Sequence, residues 1–198
     1  MISSTAICNL ALSRFGGGEI TSLDEETETA RLLSINYENC LQTVLRDFPW
    51  SFARKIDTLD LLSVETTGWD YTYLYPTDCV KILKVYTEGD GNVTNLKNEY
   101  KSIASSDGLK QYIVSNIENA YIEYTIKAPS TSIYDPQFVK ALSYMLAAEV
   151  SNSISGNTSL SNNMMQKYQL AINDAKTSAA NENNTPFELQ SSYTRGRR

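Results

Sequence analysis

A chain of 198 residues, 41% apolar and 20% charged, is long enough to bury roughly two-thirds of its unfolded surface, so it needs no disulfide or metal staple. It contains no histidine, which excludes Ser-His-Asp and Cys-His catalysis and His-based metal sites. Its 17 basic and 23 acidic residues leave a net charge of −6, which disfavours tight binding to a phosphate backbone.

The opening residues Met1-Ile2-Ser3-Ser4-Thr5 lack a basic segment followed by an apolar one, so no secretory signal is expected. No apolar run approaches the roughly 20 residues of a membrane-spanning helix. The expectation is a protein that folds in a cytosol. Residues 3–14 predict a helix with Ile7, Leu10, Ala11 and Phe15 on one face, stopped by Gly16-Gly17-Gly18. The triplet lacks Gly-x-Gly-x-x-Gly spacing, follows no strand, and reads as a helix stop rather than a phosphate loop.

Ser22 with Glu25 three residues later has the pattern of a capping box, so a second helix is predicted over about residues 23–47. Leu33, Tyr37, Cys40, Leu41, Val44 and Phe48 repeat there at helical spacing until Pro49. Glu25 and Glu26 are the only adjacent glutamates. A carboxylate pair can serve as acid and base, but within Asp24-Glu25-Glu26 at a helix start these charges are better explained by the helix dipole.

After Phe48-Pro49-Trp50-Ser51-Phe52-Ala53 the apolar period shortens to two. Strands are predicted at Tyr71–Tyr75, Val80–Tyr86, Gln111–Val114 and Tyr121–Ile126, with turns at Gly89-Asp90-Gly91-Asn92 and Ser105-Ser106-Asp107-Gly108. One antiparallel sheet of four to six strands follows. Six residues are expected to anchor the fold. Pro49 ends the long helix, and Trp50 and Phe52 pin the sheet onto the helix end. Pro76 restricts Tyr75 and interrupts the strand pair, and Asp78 bonds nearby backbone as a turn former. Tyr71, Tyr73 and Tyr75 share one strand face, with Thr72 and Leu74 on the other. The spacing leaves open whether the tyrosine face meets the core or a neighbouring molecule.

Helix returns at Asp135-Pro136, an N-cap followed by a first-turn proline. The run Phe138 to Val150 is apolar nearly all round and must be covered on several sides, with Gly156 as its stop. A last helix carries Met164, Tyr168, Ala171, Ile172, Ala175 and Ala179 on one face. Cys8, Cys40 and Cys79 are far apart with no Cys-x-x-Cys pair, and each is expected in the core as a small hydrophobe.

From Asn181 the chain turns polar, yet Phe187, Leu189 and Tyr193 stand at extended spacing before Arg195-Gly196-Arg197-Arg198. A merely solvated terminus has little use for three large apolar groups, so this tail is expected to fold onto another chain. Without Arg195, Arg197 and Arg198 the balance is 14 basic against 23 acidic residues, or −9, which suits a surface that DNA slides past without sticking.

Several stretches, in this order, carry a resemblance: Asn9-Leu10-Ala11-Leu12; Ile20-Thr21-Ser22-Leu23; Phe48 to Ala53; Tyr73-Leu74-Tyr75-Pro76-Thr77-Asp78-Cys79 with Lys81-Ile82-Leu83; Tyr124; Asp135-Pro136-Gln137-Phe138; Ala141-Leu142; and Leu146-Ala147-Ala148-Glu149. Along most of residues 1–180 the chain resembles the tail tubular protein A family, head-to-tail adaptors of short-tailed, podovirus-type bacteriophages. The resemblance implies an α+β fold, a bundle of about four helices interrupted by a central antiparallel β-domain. The corresponding division is residues 1–55 and 131–182 for the helices, 56–130 for the β-domain and 183–198 for an extended docking tail.

It also implies a non-enzymatic dodecameric ring in the neck of a virion, assembled in the host cytoplasm. Such a ring has its own copies, the portal protein and the next (nozzle) tail protein as partners. Double-stranded DNA passes through its lumen without specific binding, and neither cofactor, metal nor membrane is involved. Phe187, Leu189, Tyr193, Arg195, Arg197 and Arg198 then form the interface to the portal or a neighbouring subunit. The 13 tyrosines exceed the need of one small core and suit interfaces. The alternatives are a tail-associated, carboxylate-dependent cell-wall hydrolase, with two carboxylates across a cleft, and a cytosolic oligomeric binding module without viral context.

Overall fold

The computed structural model describes residues 2–87, 100–127 and 129–182. Four helices and two antiparallel sheets give a mixed α+β fold. The turn predicted at Gly89-Asp90-Gly91-Asn92 lies outside the described residues.

Helix α1 (Ser4–Ser13) is capped by Ser3, whose hydroxyl accepts from the Ala6 amide at 3.1 Å. It stops as predicted at the glycines: Gly17 N–H donates to Leu12 C=O at 2.9 Å, and Gly16 holds φ +77°, a left-handed value that side chains resist. The chain then doubles back, and the Asn9 side chain clamps both backbone groups of Ile20 at 2.9 Å each.

Helix α2 spans Glu28–Asp47, and its start corrects the sequence reading. Its N-cap is Thr27, whose hydroxyl accepts from Ala30 N–H at 3.2 Å. Ser22 instead accepts from Asp24 N–H at 3.1 Å, and Glu25 bonds the Thr21 amide and hydroxyl at 2.8 and 2.9 Å. The Ser22/Glu25 pattern thus satisfies its hydrogen bonds within a separate turn. Asp24-Glu25-Glu26 precedes the helix rather than opening it. Thr27 prevails because it stands three residues before Ala30, the first buried position of the helix.

Among the described residues seven strands follow where one sheet of four to six was expected: β1 (Arg54–Thr58), β2 (Leu61–Leu62), β3 (Tyr71–Leu74), β4 (Cys79–Tyr86), β5 (Tyr100–Ala104), β6 (Gln111–Ser115) and β7 (Tyr121–Ile126). They form two sheets, ordered β1-β7-β4 and β2-β3-β6-β5. The predicted Ser105–Gly108 turn joins β5 to β6, with Gly108 N–H donating to Ser105 C=O at 2.9 Å. Leu59, Tyr73, Val85, Ile113, Ala120, Ile122 and Tyr124 make one apolar cluster drawn from both sheets. The tyrosine face of β3 meets this core: Tyr73 is buried, Tyr71 stacks on it at 6.3 Å, and Tyr75 packs against the same cluster.

Helix α3 (Pro136–Ser155) is the element the other helices cover. Asp135 caps it, accepting from Gln137 N–H at 2.7 Å, and Gly156 ends it at φ +66°. Helices α1, α2 and α4 (Thr158–Glu182) all contact it, which accounts for its apolar circumference. The shared core includes Ile7, Leu12, Leu33, Leu45, Phe138, Leu142, Leu146, Met164, Tyr168 and Ile172. Tyr168 donates to the Asp47 carboxylate at 2.5 Å, tying α4 to the end of α2. Val80 of β4 and Ile126 of β7 pack against this helical core, so the β1-β7-β4 sheet lies on the helices.

Cys8 and Cys40 are buried among the helices, and desolvation pushes both thiols up to about 12. Cys79 departs from the expectation. It is half-buried in β4 and donates to the Tyr75 hydroxyl at 3.4 Å. No helix among the described residues is long and apolar enough to cross a membrane.

The two hydroxyls near α2 separate in a urea titration. Thr27→Ala costs about 1 kcal/mol through loss of the cap, whereas Ser22→Ala stays within about 0.5 kcal/mol.

Candidate interaction surfaces

Where the chain leaves α2, Pro49 and the residues around it build an aromatic junction. Trp50 is 3% exposed and its indole N–H donates to Val44 C=O at 2.9 Å, satisfying one of the carbonyls the helix end leaves free. Its ring meets Phe48 at 4.8 Å and Phe138 at 5.2 Å, both edge-on, and Phe52 meets Phe138 at 5.0 Å and Tyr134 at 5.4 Å. The expected role of Trp50 and Phe52 is therefore corrected. They fasten the end of α2 to the start of α3 within the helical core, and Ala53 continues from them into β1. Aromatic groups on both sides of the helix pair make that contact the larger burial.

Asp78 is corrected as well. The turn at Pro76 is closed by backbone, Cys79 N–H donating to Pro76 C=O at 3.1 Å. The Asp78 carboxylate reaches across the sheet instead. It accepts from the Tyr124 hydroxyl at 2.9 Å and stands 3.5 Å from the Lys55 ammonium, which also meets Asp57 at 3.1 Å. Tyr124 itself is buried, and this bond gives its hydroxyl a partner. The group links β1, β7 and the turn before β4. Lys55 and Asp57 were not singled out from the sequence. The available signal was Lys-x-Asp at strand period.

Phe187, Leu189, Tyr193, Arg195, Arg197 and Arg198 lie outside the described residues. Among the described residues the exposed apolar groups are scattered: Ile35 on α2, Ile56 on β1, Leu61 and Val64 near β2, Leu109 at the β5–β6 turn, Ile133 before α3 and Leu170 on α4. Strand β1 differs from every other strand in that all five of its residues are exposed. Isolated surface apolar groups are ordinary, but a whole exposed edge strand offers its backbone as well.

An open cleft between α2 and the sheets is lined by Asn39, Gln42, Thr43, Arg46, Tyr75, Cys79, Val80, Ser102 and Gln111, with no carboxylate on its walls. Glu65 and Asp70 border a shallow groove, but both belong to the one loop between β2 and β3. Where a carboxylate departs from its ordinary pKa, it is lowered. Hydrogen bonds from Thr21 hold Glu25 down, Arg31 does so for Glu28, Lys55 for Asp57, and Ser105 for Asp107. A general acid in glycoside cleavage requires the opposite direction. Among the described residues no group of three or more Cys, Asp or Glu could hold a metal ion.

No protein-family model and no curated protein matches the chain.

Trp50→Ala lowers stability by about 3–5 kcal/mol, read as a large drop in melting temperature. Tyr124→Phe costs about 1 kcal/mol, because Asp78 keeps access to water on its other side.

Proposed function

We propose that this chain is a non-enzymatic ring subunit of a short-tailed bacteriophage, an adaptor between portal and tail that continues the DNA channel. In this reading the four helices form a bundle interrupted by a β-domain at residues 56–130, and residues 183–198 are the docking tail.

The observation that carries the reading is how the stretches resembling the adaptor family sit in space. Stretches far apart in sequence are partnered. Asn9 clamps Ile20. Trp50 and Phe52 pack on Phe138. Asp78 accepts from Tyr124. These partnered stretches are the ones on which the resemblance rests. The side chains in them hold the fold together. A ring needs one face of a subunit to meet a different face of the next, with closure by rotation. A body that is −9 without its terminal arginines would line a channel without trapping DNA.

Two measurements test this. Co-sedimentation with the portal ring of the encoding virus should retain the full chain and lose at least tenfold in binding when residues 183–198 are deleted. Unchanged binding would remove the tail from the interface. A zymogram on bacterial cell wall should show no clearing, and a clear band would replace the adaptor reading with the hydrolase.

A further inference from the structure

Two adjoining clefts form one groove that no acidic side chain lines. The cleft between α2 and the sheets, about 640 Å³, shares Tyr75, Cys79 and Gln111 with a second of about 650 Å³, which continues past Leu74, Pro76 and Ala104 to the β5–β6 turn. The charged groups on these walls are Arg46 and Lys110, both basic, in a chain where 23 acidic residues outnumber 17 basic ones. Carboxylates bonded to wall residues or next to them in sequence are already engaged. Glu38 accepts from the Gln42 amide at 2.7 Å, Asp78 from Tyr124 at 2.9 Å, and Asp107 from Leu109 N–H at 3.0 Å.

The groove has unlike ends. At one, Arg46 donates to Val80 C=O at 2.8 Å, and among the described residues it makes no ion pair. The Lys81 ammonium, 2.8 Å from Arg46 C=O, adds a second positive charge there. Burial pushes the Tyr75 hydroxyl and the Cys79 thiol up while the charge of Arg46 pulls both down, so the guanidinium stands close to the residues the two clefts share. At the other end Leu109 is 83% exposed, on a turn held by Lys110 N–H donating to the Ser105 hydroxyl at 2.9 Å. Between the ends, the side chains of Asn39, Ser102 and Gln111 have no hydrogen-bond partner among the described residues. A side-chain amide presents a donor and an acceptor together, the complement of a peptide unit. An open, elongated groove suits an extended chain, whereas a small molecule is enclosed by its pocket.

We infer that this groove binds an extended acidic peptide segment of a partner protein, with a carboxylate on Arg46, backbone on the Asn39 and Gln111 amides, and an apolar side chain against Ala104 and Leu109. The charge of the walls selects an acidic occupant over a basic one. The inference does not depend on the adaptor reading, since it concerns the groove of the isolated chain.

A randomised octapeptide library displayed on filamentous phage, panned against the full chain, tests it. Selected sequences should carry Asp or Glu toward one end and Leu, Ile or Val toward the other. A fluorescein-labelled consensus peptide with both termini blocked should then bind in an anisotropy titration. Arg46→Gln should weaken it by about tenfold or more through loss of a charge-assisted pair, and Ala104→Glu by a similar factor through repulsion. Lys140→Gln, which lines neither cleft, should leave the affinity unchanged. Should Arg46→Gln lower the melting temperature, Ala104→Glu decides, because Ala104 is exposed. No enrichment, a consensus without acidic residues, or an affinity that Ala104→Glu does not change would each overturn the inference.

Discussion

The rest of the fold depends on the aromatic contact between Trp50, Phe52 and Phe138. The chain leaves the helices at Pro49 and returns to them at Asp135, and among the described residues between them lie the strands, their turns and two short 3-10 helices, Ser51–Ala53 and Thr131–Ile133. Two segments more than 80 positions apart must be brought together, at an entropic cost that grows slowly with loop length but must be met by local burial. Five aromatic rings, those of Phe48, Trp50, Phe52, Tyr134 and Phe138, and an indole hydrogen bond at that point supply it. With the entry and exit fixed, the two sheets share an apolar cluster of their own, while Val80 and Ile126 pack on the helical core.

The same junction explains which parts of the fold were legible in the sequence. Helices α1, α3 and α4 could be read because caps, glycine stops and apolar spacing agree within each segment. The start of α2 was misplaced because two hydroxyl residues, Ser22 and Thr27, both precede acidic positions, and only burial of Ala30 chooses between them. Strands β1 and β5 gave no signal. Arg54-Lys55-Ile56-Asp57-Thr58 has no apolar alternation, and it is a strand only because β7 beside it is one. That β3 and β4 belong to different sheets is likewise a matter of long-range pairing. Asp78 was expected to bond nearby backbone, but its side-chain partner, Tyr124, lies 46 positions away and no local pattern names it.

The surface is where fold and proposed role meet. The buried network uses the aromatic and polar groups that sequence motifs single out, which leaves few of them free for chemistry. What remains outward among the described residues includes strand β1, all five of whose residues are exposed. A protein whose work is to be joined to other copies needs surfaces that stay unused until the right partner is present.

The central claim is that the fold exists to be assembled. Negative-stain images of the purified protein, alone and after mixing with the portal ring of its own virus, test it most directly. The account predicts an added ring of density at one face of the portal with a constant copy number. Portal rings that keep their own outline at high concentrations of this protein would contradict it.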